Sequence, residues 1–333
     1  MNRKAGMLIC VAILGVFLLL ANSVTFGAEK VIKLTFGSAS SKGLPTYTGL
    51  EKWGELVQQR TQGRVQLVLA QERKLGGDKD MIELVGSGAL EGAHCSSAMF
   101  DGFMPALNAL QMPFLISDYD MLKKVFLADY TMELLSAIKE LKLHPLGLIE
   151  NGYRHIGNNS KPIAQPADLK GMKIRVGENK MHEGIFSALG AIPVPISYGE
   201  IYTSMQTGVI NGTEINATSA SSEKLMEVIK YFSMTGHFFW PSVAFVNLKV
   251  WDSLPKDIQK IFSDTWREII PWQVDLCKAE DEKAVKVMEG KGIKINQADS
   301  RAFYEGSKLV YDKYMADQRV AKFVKAVQAM QKK

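Results

Sequence analysis

Hydrophobic and polar positions alternate along this chain with two periods, and the period changes repeatedly. Residues 31–36 alternate with period two and predict a strand. Residues 47–60 place Tyr47, Leu50, Trp53, Leu56 and Val57 at helical spacing, and 64–70 return to period two through Val65, Leu67 and Leu69. That is one βαβ unit. Residues 81–85 start a short helix ended by Gly86 and Gly88, and 90–97 form the next strand, with its polar tail at the C-terminal end. Further on, 121–141 read as helix, 145–150 as strand, and 166–171 as a turn into the strand 172–176. Helix 181–189 ends at Gly190, strand 192–196 follows, and helix 199–207 stops at Gly208. Residues 255–290 make a long helix with a kink expected at Pro271, and strand 293–295 precedes a helical C-terminus. Strands that alternate with helices predict an α/β fold of parallel sheets covered by helices.

The N-terminus breaks this pattern. Arg3 and Lys4 precede an apolar run from Met7 to Leu20, which is shorter than the roughly 20 residues of a spanning helix. It reads as a signal peptide occupying 1–28, with the mature start between Val24 and Glu29, and it predicts a periplasmic location. About three hundred residues then remain, more than one core usually holds, so two lobes are expected. No flexible linker separates them, which implies a chain that crosses between lobes more than once.

Charge changes the picture only by exclusion. The formal net charge of +5 falls to +3 without Arg3 and Lys4, and both signs are scattered, which is no footprint for a nucleic acid. Cys95 and Cys277, about 180 residues apart, are the only thiols of the mature chain, so there is no disulfide framework; one bridge between them stays open.

Candidate chemistry concentrates at strand ends. In the strand 172–176, Met172, Ile174 and Val176 share one face, and Lys173 and Arg175 share the other. Arg175 stands at the C-terminal end, where open α/β sheets place ligands, and its planar fork matches a carboxylate. A structural ion pair or a solvated edge is the plainer reading of this segment alone. Arg154 also follows a hydrophobic strand, beside Gly152. Tyr198 and Trp240 fit a stacking role or ordinary core, and Glu214 could accept a hydrogen bond, hold a cation or cap a turn. Among enzymatic signatures there is no Gly-x-Ser-x-Gly, His-Glu-x-x-His, P-loop or Gly-x-Gly-x-x-Gly. No two of the five histidines have a metal-ligand spacing, and His94 and Cys95, as strand neighbours, point to opposite faces. No catalytic residue, metal or cofactor is expected.

Several blocks together carry a resemblance over nearly the whole mature chain. They are Lys74-Leu-Gly-Gly-Asp-Lys-Asp80, Met112-Pro-Phe-Leu115, Asn151-Gly-Tyr-Arg-His155, Ala167-Asp-Leu-Lys-Gly-Met-Lys-Ile-Arg-Val176 and Ala188-Leu-Gly-Ala-Ile-Pro-Val-Pro195, the last running on through Glu200, Tyr202 and Gln206-Thr-Gly-Val209. The sequence resembles the DctP-type substrate-binding subunits of TRAP transporters. That resemblance implies a two-lobed periplasmic binding fold with a ligand cleft between lobes and a long helix spanning both. It puts 29–150 with 241–282 in lobe I, and 151–240 with 283–333 in lobe II. It implies a monomer that captures a small organic carboxylate and delivers it to small and large multipass membrane subunits.

By the same resemblance Arg175 pairs with the carboxylate, Arg154 makes secondary contacts and Tyr198 packs on the ligand. Asn211-Gly-Thr-Glu214-Ile-Asn216 stands where the family commonly reads Asp-Gly-Gln-Glu-Asn-Pro. Glu214 keeps its match, and Ile215 replaces a ligand-bonding asparagine. With Trp240, Phe100 and Ile215 lining the pocket and Ser97 at the end of its strand, the expected ligand is a carboxylate with an apolar or aromatic body. A secreted hydrolase with paired carboxylates, an ABC or sensory binding protein, and a cation held by Glu214 remain as alternatives.

Overall fold

The computed structural model describes residues 31–331, so the segment read as a signal peptide lies outside the described residues. The expected βαβ start is present: β1 Ile32–Ser38, α1 Pro45–Arg60 and β2 Val65–Ala70, the strands pairing in parallel. Then follow α2 Asp78–Ser87, closed by Gly88 in the left-handed conformation, and β3 Gly92–Ser96. Strand β4 Leu143–Tyr153 leads directly to β5 His155–Asn158. After it come β6 Lys173–Val176, α3 Lys180–Ala188, β7 Ile192–Pro195, β8 Gly212–Ile215, α4 Ala217–Ser222, β9 Tyr231–Met234, β10 Phe239–Asn247, the long helix α5 Lys256–Gly290, β11 Lys294–Gln297 and the last helix α6 Gln318–Gln331.

Two sheets result, one ordered β2-β1-β3-β10-β4 and the other β11-β9-β5-β8-β6-β7. They are mixed, not purely parallel. Strand β10 runs antiparallel to β3 and β4, and β5 runs antiparallel to β8 and β9. The reason is the crossing: β4 leaves the first sheet and continues as β5 in the second, and β9 leaves the second and returns as β10. The crossing segments bond to each other, Arg154 N–H donating to the Phe238 carbonyl at 2.9 Å and His237 N–H to the Arg154 carbonyl at 3.3 Å. Gly152, with φ +132°, is required at the first crossing. A Cβ there would meet Asp281 Oδ2 at 2.5 Å and Asn216 at 2.9 Å.

Helix α5 runs unbroken through Pro271 and contacts α1 and β4 on one side and α4 and β11 on the other. Its Asp281 gathers the hinge, accepting from Tyr119 Oη at 2.9 Å, Tyr153 N at 3.2 Å and Thr218 N at 3.0 Å. The first core is anchored by Trp53, which meets Phe36, Phe262 and Trp266 edge-on and so ties α1 and β1 to α5. Each such side chain contributes about 1.5–3 kcal/mol by burial. A second core, with Ile201, Ile215, Phe232 and Met288, lies under the other sheet.

Two sequence expectations change, and one left open is decided. The helix read at 121–141 is broken into Tyr119–Leu127, Asp129–Leu135 and a 3-10 stretch, because Ala128 takes an extended conformation. Helix α6 packs against Pro105–Gln111 and Asp129–Leu135, so by contact it sits on the side of the first sheet, although 283–333 were expected with lobe II. Cys95 and Cys277 are both free and buried.

Burial also sets a pH profile. Desolvation holds all five histidines neutral, His94 and His155 down to about 3, His144 to about 4, and His182 and His237 well below their usual value. Unfolding restores their affinity for protons, so stability falls as pH drops below about 6.5. Glu150 has the opposite sign: burial raises its carboxyl from 4.5 to about 8. The folded chain then binds the extra proton, and stability falls as pH rises toward 8. Asp78 and Asp281, both raised by burial to about 6, add to that sign only below pH 6. The thermal midpoint measured against pH is expected to peak near 6.5. Glu150→Gln should flatten its alkaline side, because the amide oxygen can still accept from Gly152 and Trp240, which bond Glu150 Oε1 at 2.8 Å each. A midpoint rising from pH 6.5 to 8 contradicts this account.

Candidate functional site: a charged cleft between the sheets

A cavity of about 400 Å³ lies where the two sheets face each other, lined from both sides. Arg175 is held at its base by β6. Ile174 and Val176 are fully buried on one face, while on the other Lys173 is exposed and Arg175, at the strand end, is only 3% exposed. Its Nε donates to the Ile196 carbonyl at 2.9 Å and its Nη1 to Glu214 Oε1 at 3.4 Å. Among the described residues, no hydrogen bond engages its Nη2.

Arg154, at the crossing between β4 and β5, has each of its three guanidinium nitrogens engaged. Nε donates to Glu214 Oε2 at 2.6 Å, Nη2 to the Glu214 carbonyl at 2.8 Å and Nη1 to Asn216 Oδ1 at 3.1 Å. The guanidinium also lies 4.0 Å from the centre of the Trp240 ring. Glu214, with no exposed surface, therefore serves two arginines. Two guanidiniums against one carboxylate leave one buried positive charge uncompensated. Burial accordingly lowers the Arg175 pKa to about 10, although Glu214 works to raise it. A single carboxylate entering the cleft would complete the balance.

The opposite wall joins the polar groups of Ser40 just after β1, Asp78 at the start of α2, His94 within β3, Asn151 of β4 and Ser242 in the N-terminal half of β10 to the apolar Leu44 and Met99. Arg73 reaches across the mouth of the cleft to Glu223 beyond α4 at 3.2 Å and lies 5.3 Å from the Tyr198 ring centre. Glu72 and Arg73 both adopt left-handed backbone, with φ +62° and +61°, which costs on the order of 1–2 kcal/mol each.

Of the expected site residues, Arg175, Arg154, Tyr198 and Trp240 line the cleft. Glu214 stands behind the arginines, with both oxygens engaged by them, which leaves it unsuited to a cation. Ile215 faces the second core and Phe100 packs edge-on against Phe245 in the first. Ser97 is fully buried in the turn after β3, outside the cleft lining. Neither Ile215 nor Phe100 therefore lines the cleft, whose apolar surface comes from Trp240, Met99 and Leu44, and the asparagine that borders it is Asn216, one residue after Ile215. Arg73, Asp78, His94, Asn151 and Ser242 were missed. Arg73 follows β2, so the strand-end rule that singled out Arg175 would have found it, whereas Asp78 opens α2 and His94, Asn151 and Ser242 lie within strands, where that rule gives no signal.

Two α/β lobes with a ligand-sized cleft bearing buried arginines, crossing strands and a shared spanning helix define a solute-binding protein. The sequence matches "Bacterial extracellular solute-binding protein, family 7", the DctP family, over residues 36–318, and the chain belongs to that family. It is 30% identical over 301 residues to the 2,3-diketo-L-gulonate-binding periplasmic protein YiaO of Escherichia coli K12, covering 90% of this chain and 92% of that one. Among solved structures it superposes with TM-score 0.85 on a TRAP periplasmic solute-binding protein from Bradyrhizobium sp. BTAi1 in complex with D-galacturonate, at 28% identity, covering 89% of this chain and 99% of the other. A TRAP solute-binding protein from Polaromonas sp. JS666 bound to D-erythronate gives TM-score 0.85 at 27% identity, over 90% and 98% of the two chains. Family members bind ligands and are not enzymes. Among the described residues no helix is long and apolar enough to cross a membrane.

Proposed function

We propose that this chain is the periplasmic receptor of a TRAP transporter for a small hydroxylated carboxylate of the sugar-acid class. The observation that carries the reading is the uncompensated buried positive charge at Arg175, facing a wall of hydroxyl, imidazole and carboxylate groups. A ligand carboxylate docks on the free edge of Arg175. Its hydroxyls meet the polar wall contributed by the other lobe, and these added contacts favour the closed state. Closure excludes water and strengthens the charge pairing. The closed form is what the multipass membrane subunits read. The ligands of the relatives, a diketogulonate, a galacturonate and an erythronate, share this chemistry.

The test is a thermal-shift screen of D-glucuronate, D-galacturonate, D-gluconate, D-erythronate, succinate and benzoate. A ligand present at about 100 times its Kd stabilises the folded state by ~2.7 kcal/mol and raises the midpoint. Sugar acids are expected to give the largest shifts. A shift with benzoate alone restores an apolar pocket and sinks the sugar-acid reading.

A further inference from the structure

The wall opposite Arg175 has a fixed hydrogen-bond direction, and the geometry itself determines it. Asn151 Nδ2 lies 3.0 Å from the Trp240 carbonyl, which can only accept, so the orientation of this amide is forced. Its Oδ1 then accepts from Thr46 Oγ1 at 3.0 Å. Thr46 has one hydroxyl hydrogen, now used, so the 2.8 Å contact between Ser40 and Thr46 is donated by Ser40. Ser40 Oγ is left with lone pairs only.

On the other side, Asn151 gives its second N–H to Ser242 Oγ. Ser242, 1% exposed, accepts there and keeps its own hydrogen, for which no acceptor exists among the described residues. His94 follows the same logic. Ser38 Oγ accepts from Ser40 N at 3.0 Å and lies 3.3 Å from His94 Nδ1. The tautomer that leaves no hydroxyl hydrogen idle has Ser38 donating to Nδ1, with the ring proton on Nε2, an atom that is buried without a partner.

We propose that Asn151 is a positioning residue that polarises this wall, so that Ser40 acts on the ligand as an acceptor and Ser242 as a donor. This deepens the proposed function and rests on it. The ligand must carry an O–H at the group facing Ser40, where a carbonyl or a fluorine cannot donate, whereas the group facing Ser242 needs only a lone pair. The cleft thus selects a sugar acid still reduced to the alcohol at that position over one oxidised to a ketone there.

Titration calorimetry tests it with D-glucuronate and D-galacturonate and their analogues carrying fluorine for one hydroxyl at a time, on the wild type, Ser40→Ala and Ser242→Ala. In the wild type, at least one fluorine substitution is expected to weaken binding tenfold or more. That penalty should fall below about threefold in Ser40→Ala and persist in Ser242→Ala, which weakens parent and analogue alike. A penalty unmoved by Ser40→Ala, or abolished equally by Ser242→Ala, overturns the polarity. Absence of wild-type binding to either uronate while succinate binds overturns the sugar-acid reading instead. The readout is a ratio between ligands on one variant, so a loss of folded protein cannot imitate it.

Discussion

Arg175→Ala is expected to weaken binding of the cognate carboxylate by about 30-fold to several thousand-fold, corresponding to ~2–5 kcal/mol for loss of one partner of a buried charge pair. Folding should survive. Glu214 keeps its 2.6 Å contact with Arg154, and the buried cluster passes from one excess positive charge to neutrality. Burial already opposes the charge on Arg175, so its removal relieves a cost in the unliganded protein. Arg175→Lys should fall between the two, because an ammonium supplies charge without the planar fork and cannot keep both the Ile196 and Glu214 contacts while presenting a second donor edge. Calorimetry on the three proteins decides it. Unchanged affinity in Arg175→Ala would remove the carboxylate from this end of the cleft.

Glu214→Gln should act in the opposite domain, on stability. The substitution leaves two guanidiniums buried beside each other with a neutral amide between them. Breaking a buried pair in this way costs about 3–5 kcal/mol, a large share of the stability of a typical chain. Urea unfolding monitored by tryptophan fluorescence measures it, and a loss below about 1 kcal/mol would show that the cluster is held by its other hydrogen bonds. Ligand should rescue part of the loss, since an added carboxylate compensates the charge that Glu214 no longer balances. Arg175→Ala in the Glu214→Gln background tests the same electrostatics without ligand: it should recover stability, because the two residues share one charge balance.

Much of this protein can be read locally. The βαβ start, the long helix ending at Gly290 and the placement of Arg175 at a strand end follow from periodicity, turn residues and the rule that ligands gather at the C-terminal ends of strands. The exclusion of enzymatic signatures follows from residue types alone. The structure also shows where that reasoning stops. Ile215 and Asn216 are neighbours, but Ile215 ends β8 and packs into the second core, whereas Asn216 is the N-cap of α4 and borders the cleft, a boundary that a single residue decides. Reading Ile215 as the pocket residue overlooked the polar amide beside it.

Arg154 and Arg175 could each be called strand-end arginines from sequence. That they share a single carboxylate, Glu214, could not, since the three come from separate segments brought together when β8 inserts between β5 and β6. The sequence by itself determined which residues can carry charge, where helices and strands begin, and that the chain must form two bodies. The tertiary structure decided the net charge at the base of the cleft, the composition of its far wall and the direction of each hydrogen bond there. Those properties depend on burial and on which groups meet across long separations in the chain, and no local pattern encodes either.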